Sequence, residues 1–101
     1  MGISQEKINR ITEIAKSYGV TRLILFGSAA TNPTQAKDVD LACDGVSGWD
    51  FYKLGAKLEE ELETSLDLVS LTPPNRFTKL IEKQGIVLLW TELSGFVKKF
   101  R

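Results

Sequence analysis

Two acids one residue apart, Asp38 and Asp40, are the first residues whose types and spacing indicate chemistry. In Asp38-Val39-Asp40-Leu41, charged and apolar residues alternate as in a β-strand with one polar face. Both carboxylates then point the same way, with their Cα atoms about 6.6 Å apart, two strand rises. Carboxylates this close repel each other unless protons or a cation intervene. A hard divalent cation such as Mg²⁺ prefers oxygen ligands and fits this pair.

A glycine–serine turn lies upstream of the acidic segment. The apolar run Leu23–Phe26 predicts a buried strand that ends at Gly27-Ser28. Glycine permits close backbone approach, and the free N–H groups of such a turn suit a phosphate. The connection 29–37 separates this turn from the acids. The sequence therefore indicates a phosphate site beside a cation site.

A third acid, Asp67, lies near the start of the apolar segment Leu66–Leu71. It shares a strand face with Val69 and Leu71, and strands disfavour aspartate. Two interpretations stay open from the residues alone: an acid in the turn at the strand's end, or a third carboxylate near the first two.

Four strands must position these residues. Each is an apolar or alternating segment bounded by turn residues. They are Thr21–Phe26, Asp38–Cys43, Leu66–Leu71 and Ile86–Trp90. The first is apolar throughout, which predicts a central position in the sheet.

Three longer segments have helical spacing of apolar residues. They run from Ser4 to a stop at Gly19, from a capping box at Ser47-Gly48-Trp49-Asp50 to about Thr64, and from about Pro74 to Gln84. The second is predicted to bury Phe51, Leu54, Leu58 and Leu62, and the third Phe77, Leu80 and Ile81. Ser28–Thr31 fits one short helical turn. The tail 91–101, with Phe96, Val97 and Phe100, predicts a short helix that packs on this domain or on a partner.

The order α-β-β-α-β-α-β predicts an α/β (α+β) fold. We expect one domain over residues 1–101, with a mixed sheet of about four strands. Helices should cover mainly one face and leave room for a ligand on the other.

Composition excludes several function classes. The chain has no histidine, which excludes His-based triads and His-rich zinc sites. Thirteen basic and thirteen acidic residues balance, so no basic stripe is expected to bind nucleic acid. One cysteine, Cys43, permits no internal disulfide and is expected to be buried. Because no signal peptide or membrane span is evident, we expect a cytoplasmic protein.

Together, these motifs resemble the nucleotidyltransferase superfamily that includes DNA polymerase beta and kanamycin nucleotidyltransferase. The resemblance is carried by Gly27-Ser28, a nine-residue connection, Asp38-Val39-Asp40, and Asp67 on a later strand. It spans roughly residues 8–90. The short length and N-terminal helix are similar to the minimal nucleotidyltransferases, which are often antitoxin partners of HEPN-domain proteins.

The resemblance implies a function and a set of roles. Asp38, Asp40 and Asp67 would be catalytic and would hold two Mg²⁺ ions, while Gly27 and Ser28 would hold the terminal phosphates. The substrate would be ATP or another NTP, with NMP transferred to a hydroxyl. That hydroxyl would belong to a HEPN-type protein, in a homo- or hetero-oligomer.

The chain also departs from the family pattern. Active minimal members follow Gly-Ser with arginines, whereas this chain has Ala29, Ala30 and Thr31. Lys37 stands where a serine usually precedes the first acid, and Lys37 or Arg76 is a candidate to supply phosphate-binding charge. A second hypothesis is therefore a degenerate subunit that binds and neutralises its partner without catalysis, using the apolar tail.

Overall fold

The computed structural model describes residues 4–31 and 38–91. Four helices and four strands lie in these ranges. The helices are α1 (Gln5–Ser17), α2 (Ser28–Thr31), α3 (Trp49–Leu62) and α4 (Arg76–Gln84). The strands are β1 (Arg22–Phe26), β2 (Val39–Asp44), β3 (Leu66–Ser70) and β4 (Ile86–Trp90). The predicted tail helix, Phe96, Val97 and Phe100 included, lies outside the described residues.

The strands form one mixed sheet in the order β3-β2-β1-β4. β1 pairs antiparallel with both β2 and β4, whereas β2 and β3 run parallel. The predicted α/β fold, the mixed four-stranded sheet and the central position of β1 are confirmed. The register places Phe26 opposite Asp40 and Asp40 opposite Asp67.

The first face of the sheet carries the main core, which α1 and α3 cover. Alternate residues of the strands, among them Leu23, Leu25 and Leu41, are fully buried there. The predicted stripe of α3 is observed, since Leu54 and Leu58 are completely buried and pack in this core. At the start of α1, the Ser4 side chain accepts a hydrogen bond from the Lys7 N–H, as a capping residue does.

The second face is covered in part by α4. Ile81 packs with Ile24, Ala42 and Leu71 in a smaller core cluster. The guanidinium of Arg22 bonds Asp44 on β2 (3.2 Å) and Glu82 on α4 (2.7 Å), and so ties the helix to the sheet. The two longer helices lie on the first face, as predicted, and α4 occupies one part of the second.

Two local predictions for the helices are wrong. α3 begins at Trp49 with Gly48 as its N-cap, and no side chain caps it, so Ser47 forms no capping box. In α4, Phe77 and Leu80 are 51% and 48% exposed instead of buried. Thr78 is held at the start of α4 by a capping box with Asn75, and Ile81, one turn later, packs against the second face of the sheet. Thr78 and Ile81 therefore face inward.

The model contains no helix within residues 4–31 and 38–91 that combines the length and apolarity needed to cross a bilayer.

Candidate functional site

The glycine–serine turn lies at the end of β1, against the acidic strand. Gly27 has φ +73°, a left-handed conformation that favours glycine. A Cβ at Gly27 would overlap the carboxylate of Asp40, with Asp40 Cγ only 3.2 Å away. Glycine is thus required here twice, by the backbone angle and by the adjacent carboxylate. The turn and the first acid pair predicted from sequence do meet.

The carboxyl groups of Asp40 and Asp67 lie side by side because their strands are parallel and in register. Burial raises the pKa of Asp40 above its ordinary value, as do the charges of Asp67 and Asp38 and a hydrogen bond with Asp67. Of the two interpretations of Asp67, the structure supports the second: its carboxyl group lies near those of Asp38 and Asp40.

Asp38 directly precedes β2, and its charge reaches Asp40. Asp38 and Asp67 are exposed, whereas Asp40 is half-buried. No arginine or lysine within residues 4–31 and 38–91 forms an ion pair with any of these three acids. Their mutual repulsion is therefore not offset by a basic side chain of the described residues.

Carboxylate oxygens are the ligands that hard cations prefer, but the three acids are not arranged as a complete coordination site. In the part of the chain that the structure describes, no group of three or more acidic or cysteine side chains is gathered closely enough to hold a metal ion. A divalent cation would offset the repulsion that raises the Asp40 pKa. Since Asp38 and Asp67 are exposed, their side chains can rotate towards such an ion.

The structure describes only some of the predicted phosphate-binding residues. Ser28 begins α2 and is exposed, and the Gly27 carbonyl accepts hydrogen bonds from the N–H groups of Ala30 and Thr31. No basic residue lies within α2. Lys37 lies outside the described residues. Arg76 is exposed at the first turn of α4 and belongs to none of the observed ion pairs.

A cavity of about 260 Å³ adjoins the Gly27 turn and was not predicted from sequence. It lies between α2 and α4, and Phe26 and Phe77 contribute to its wall, their rings edge-to-face at 5.9 Å. Phe77 and Leu80, which were expected in the core, border this cavity. The sequence signal for this wall was the apolar set Phe77, Leu80 and Ile81 on α4, which was interpreted as core.

A family comparison identifies this arrangement. The polymerase beta nucleotidyltransferase family matches residues 9–92. The chain belongs to this family. The resemblance noted from Gly27-Ser28 and the three acids is therefore confirmed at the level of the family, and the nucleotidyltransferase fold carries the site.

Solved structures show the same nucleotidyltransferase fold. One is the MntA–HepT toxin–antitoxin, with a TM-score of 0.69 and 21% identity, covering 93% of this chain and 79% of that chain. A second is a toxin–antitoxin with AMP-PNP, with a TM-score of 0.71 and 23% identity, covering 89% of this chain and 78% of that chain. A third is the tri-AMPylated Shewanella oneidensis HEPN toxin in complex with MNT antitoxin, with a TM-score of 0.70 and 21% identity, covering 94% of this chain and 79% of that chain. No curated protein sequence matches significantly.

Proposed function

We propose that this chain is a minimal nucleotidyltransferase that transfers NMP, most simply AMP, from an NTP to a hydroxyl on a partner protein. One observation carries the proposal: Asp40 faces Asp67 in register and touches the Gly27 turn, so acids and turn form one site. The raised pKa of Asp40 supports it, because a carboxyl group perturbed by burial and by neighbouring acids is typical of functional sites.

In the proposed reaction the acceptor hydroxyl oxygen bonds to the α-phosphorus of the NTP. The bond from that phosphorus to the α–β bridging oxygen breaks, and pyrophosphate leaves with the bridging oxygen. Asp67, which is exposed at the site, accepts the hydroxyl proton and passes it to water.

The acids and the turn would also bind the metal and the phosphates. Asp38, Asp40 and Asp67 would hold Mg²⁺, which would stabilise charge on the attacking and leaving oxygens. Ser28 and the backbone at Gly27 bind the terminal phosphates, since the turn leaves room for close approach. Asp40, which is half-buried between Gly27 and Asp67, would hold that ion next to the turn that binds the phosphates.

The partner we propose is a HEPN-type toxin, with this chain as its antitoxin. The similar solved structures are toxin–antitoxin assemblies, one of them containing an AMPylated HEPN toxin with its MNT antitoxin. An antitoxin that adds AMP to its toxin needs a site open to a large acceptor, and both Asp38 and Asp67 are exposed.

A second candidate function is neutralisation by binding alone. α2 carries no basic residue for the triphosphate. At the start of α3, Trp49 and Tyr52 are 80% and 70% exposed and contact each other, and exposed aromatic pairs of this kind are typical of protein interfaces. A degenerate subunit would need this surface and not the acids.

The test is label transfer from α-labelled ATP, with Mg²⁺, to the protein encoded by the neighbouring gene. We expect wild type to label the partner and Asp38→Ala to lose at least about 99% of the rate, because metal–nucleotide sites depend on each acid. Asp50→Ala is the matched control, since Asp50 is an exposed acid in the first turn of α3.

Transfer that is absent from wild type and all variants would reject the enzyme. Neutralisation assays then decide for the second candidate: Asp40→Asn should still neutralise the toxin, whereas Trp49→Ala/Tyr52→Ala should not.

A further inference from the structure

The outward side of α4 combines apolar and basic side chains. Phe77 and Leu80 are half-exposed there. Beside them, Arg76, Lys79 and Lys83 lie at positions i, i+3 and i+7 and form one exposed row along the helix. We propose that this α4 surface, made of these five residues, binds an amphipathic helix of another protein whose apolar stripe is flanked by acidic residues. The proposal goes beyond nucleotidyl transfer and does not depend on it.

The basic row is not balanced by acids of this protein. Within residues 4–31 and 38–91, none of the three cations belongs to an ion pair. Glu82 is the only acid of α4, and its carboxylate binds Arg22 on β1 at 2.7 Å. Carboxylates of a partner would therefore meet cations that have no competing ion pair among the described residues.

Helix stability does not account for the basic row. Arg76 begins α4, where a cation opposes the helix dipole, and the first turn contains no acid. Arg76 and Lys79 are three residues apart, and Lys79 and Lys83 are four apart, which are spacings at which like charges destabilise a helix. An acidic helix bound alongside would offset this repulsion, because its carboxylates would face all three cations.

The apolar part of the α4 surface provides anchoring contacts. A cavity of about 610 Å³ adjoins it, and all five residues of the surface line this cavity. Phe77 and Leu80 contribute their rings and methyl groups, and long basic side chains add their methylene stems. In helix-in-groove recognition, apolar side chains of one helix insert into such a concave apolar surface.

Other parts of this chain have the wrong charge to cover the α4 surface. Residues 1–3 and 32–37 contain no acid, and residues 92–101 contain one acid against three basic residues. A symmetric dimer through α4 would place the basic rows of the two copies against each other. Charge complementarity therefore favours a different, acidic chain as the occupant.

Nucleic acid and anionic lipid also attract cations, but they match the α4 surface less well. Contacts to a phosphate backbone are polar and would leave Phe77 and Leu80 without an apolar partner. The thirteen acidic residues of the chain balance its thirteen basic ones, so no wide positive field draws it to a bilayer. A cavity beside a helix fits the convex ridge of another helix better than a flat membrane.

The test measures the binding of two labelled model helices by fluorescence anisotropy, in the absence of nucleotide. Each peptide has about 20 residues and a leucine stripe, and the stripe is flanked by glutamate in one peptide and by lysine in the other. Lys79→Glu/Lys83→Glu reverses most of the basic row, and Leu80→Ala removes an apolar contact.

The matched controls change the same chemistry elsewhere. Lys16→Glu/Lys53→Glu reverses two exposed lysines on α1 and α3, and so gives the same net charge as the α4 double variant. Val87→Ala shortens a half-exposed aliphatic side chain on β4. Circular dichroism of each variant checks that the fold is retained.

We expect wild type to bind the glutamate helix at least about tenfold more tightly than the lysine helix. Lys79→Glu/Lys83→Glu should reverse this preference, and Leu80→Ala should weaken binding of the glutamate helix at least about fivefold. Both controls should behave as wild type.

Three results would overturn the proposal. The first is no preference for the glutamate helix, or a preference that reversal of Lys79 and Lys83 leaves unchanged. The second is an equal loss in a variant and its control, or no loss in Leu80→Ala. The third is tighter binding of single-stranded RNA or of phosphatidylserine vesicles than of the glutamate helix, which would assign the α4 surface to nucleic acid or to lipid.

Discussion

Gly27→Ala tests the contact between the turn and the acids through stability. At φ +73° an alanine is strained by about 1–2 kcal/mol relative to glycine. The new Cβ would also overlap the Asp40 carboxylate; rotation of that carboxylate moves its oxygens away but leaves Asp40 Cγ and Cβ at 3.2 and 3.4 Å. Overpacking of this kind costs about 1–3 kcal/mol, so the free energy of unfolding should fall by about 2–5 kcal/mol.

The matched control is Gly19→Ala. Gly19 has φ +88° and nothing within 4 Å of an added Cβ, so only the backbone strain of about 1–2 kcal/mol applies. Urea unfolding of both variants, with and without Asp40→Ala, separates the two contributions. In the Asp40→Ala background, Gly27→Ala should cost no more than Gly19→Ala. Equal costs for the two glycines in the wild-type background would refute the contact.

Three further predictions concern stability and reactivity. Because burial and the charges of Asp67 and Asp38 raise the folded-state pKa of Asp40, stability should fall as pH rises from 3.8 through that pKa. In metal-free buffer, Asp40→Asn should lose this fall. The same pH profile in wild type and Asp40→Asn would contradict a raised pKa at Asp40. Burial and the charge of Asp44 raise the Cys43 pKa to about 12, so a thiol reagent at pH 8 should label the native protein far more slowly than the urea-unfolded one. Leu58→Ala should lower the free energy of unfolding by about 2–5 kcal/mol, and a loss under 1 kcal/mol would argue against its burial.

Much of the fold was predictable because local patterns decide it. The run Leu23–Phe26 has no polar residue, which favours a buried central strand, and the structure has β1 between β2 and β4. Leu54 and Leu58 are one helical turn apart on one stripe, and both are fully buried. The same reasoning fails for Phe77, because the packing of Ile81 against the sheet, a tertiary contact, decides which side of α4 faces inward.

The site was predictable in part. Alternation along a strand places Asp38 and Asp40 on one face without any tertiary information. The nearness of Asp67 depends on β2 and β3 being parallel and in register, which no local pattern determines. The cavity depends on how α4 crosses the sheet, and the Arg22–Glu82 ion pair that holds it joins residues sixty positions apart.

Transfer of label from the α-phosphate, compared with the γ-phosphate, tests the central claim most directly. The neighbouring protein is incubated with this chain, Mg²⁺ and ATP labelled at one position or the other. We predict that α-label appears on the partner, that γ-label does not, and that Asp40→Asn abolishes the α signal while Asp50→Asn retains it. Incorporation of γ-label, or α-label that survives Asp40→Asn, would contradict nucleotidyl transfer at these acids.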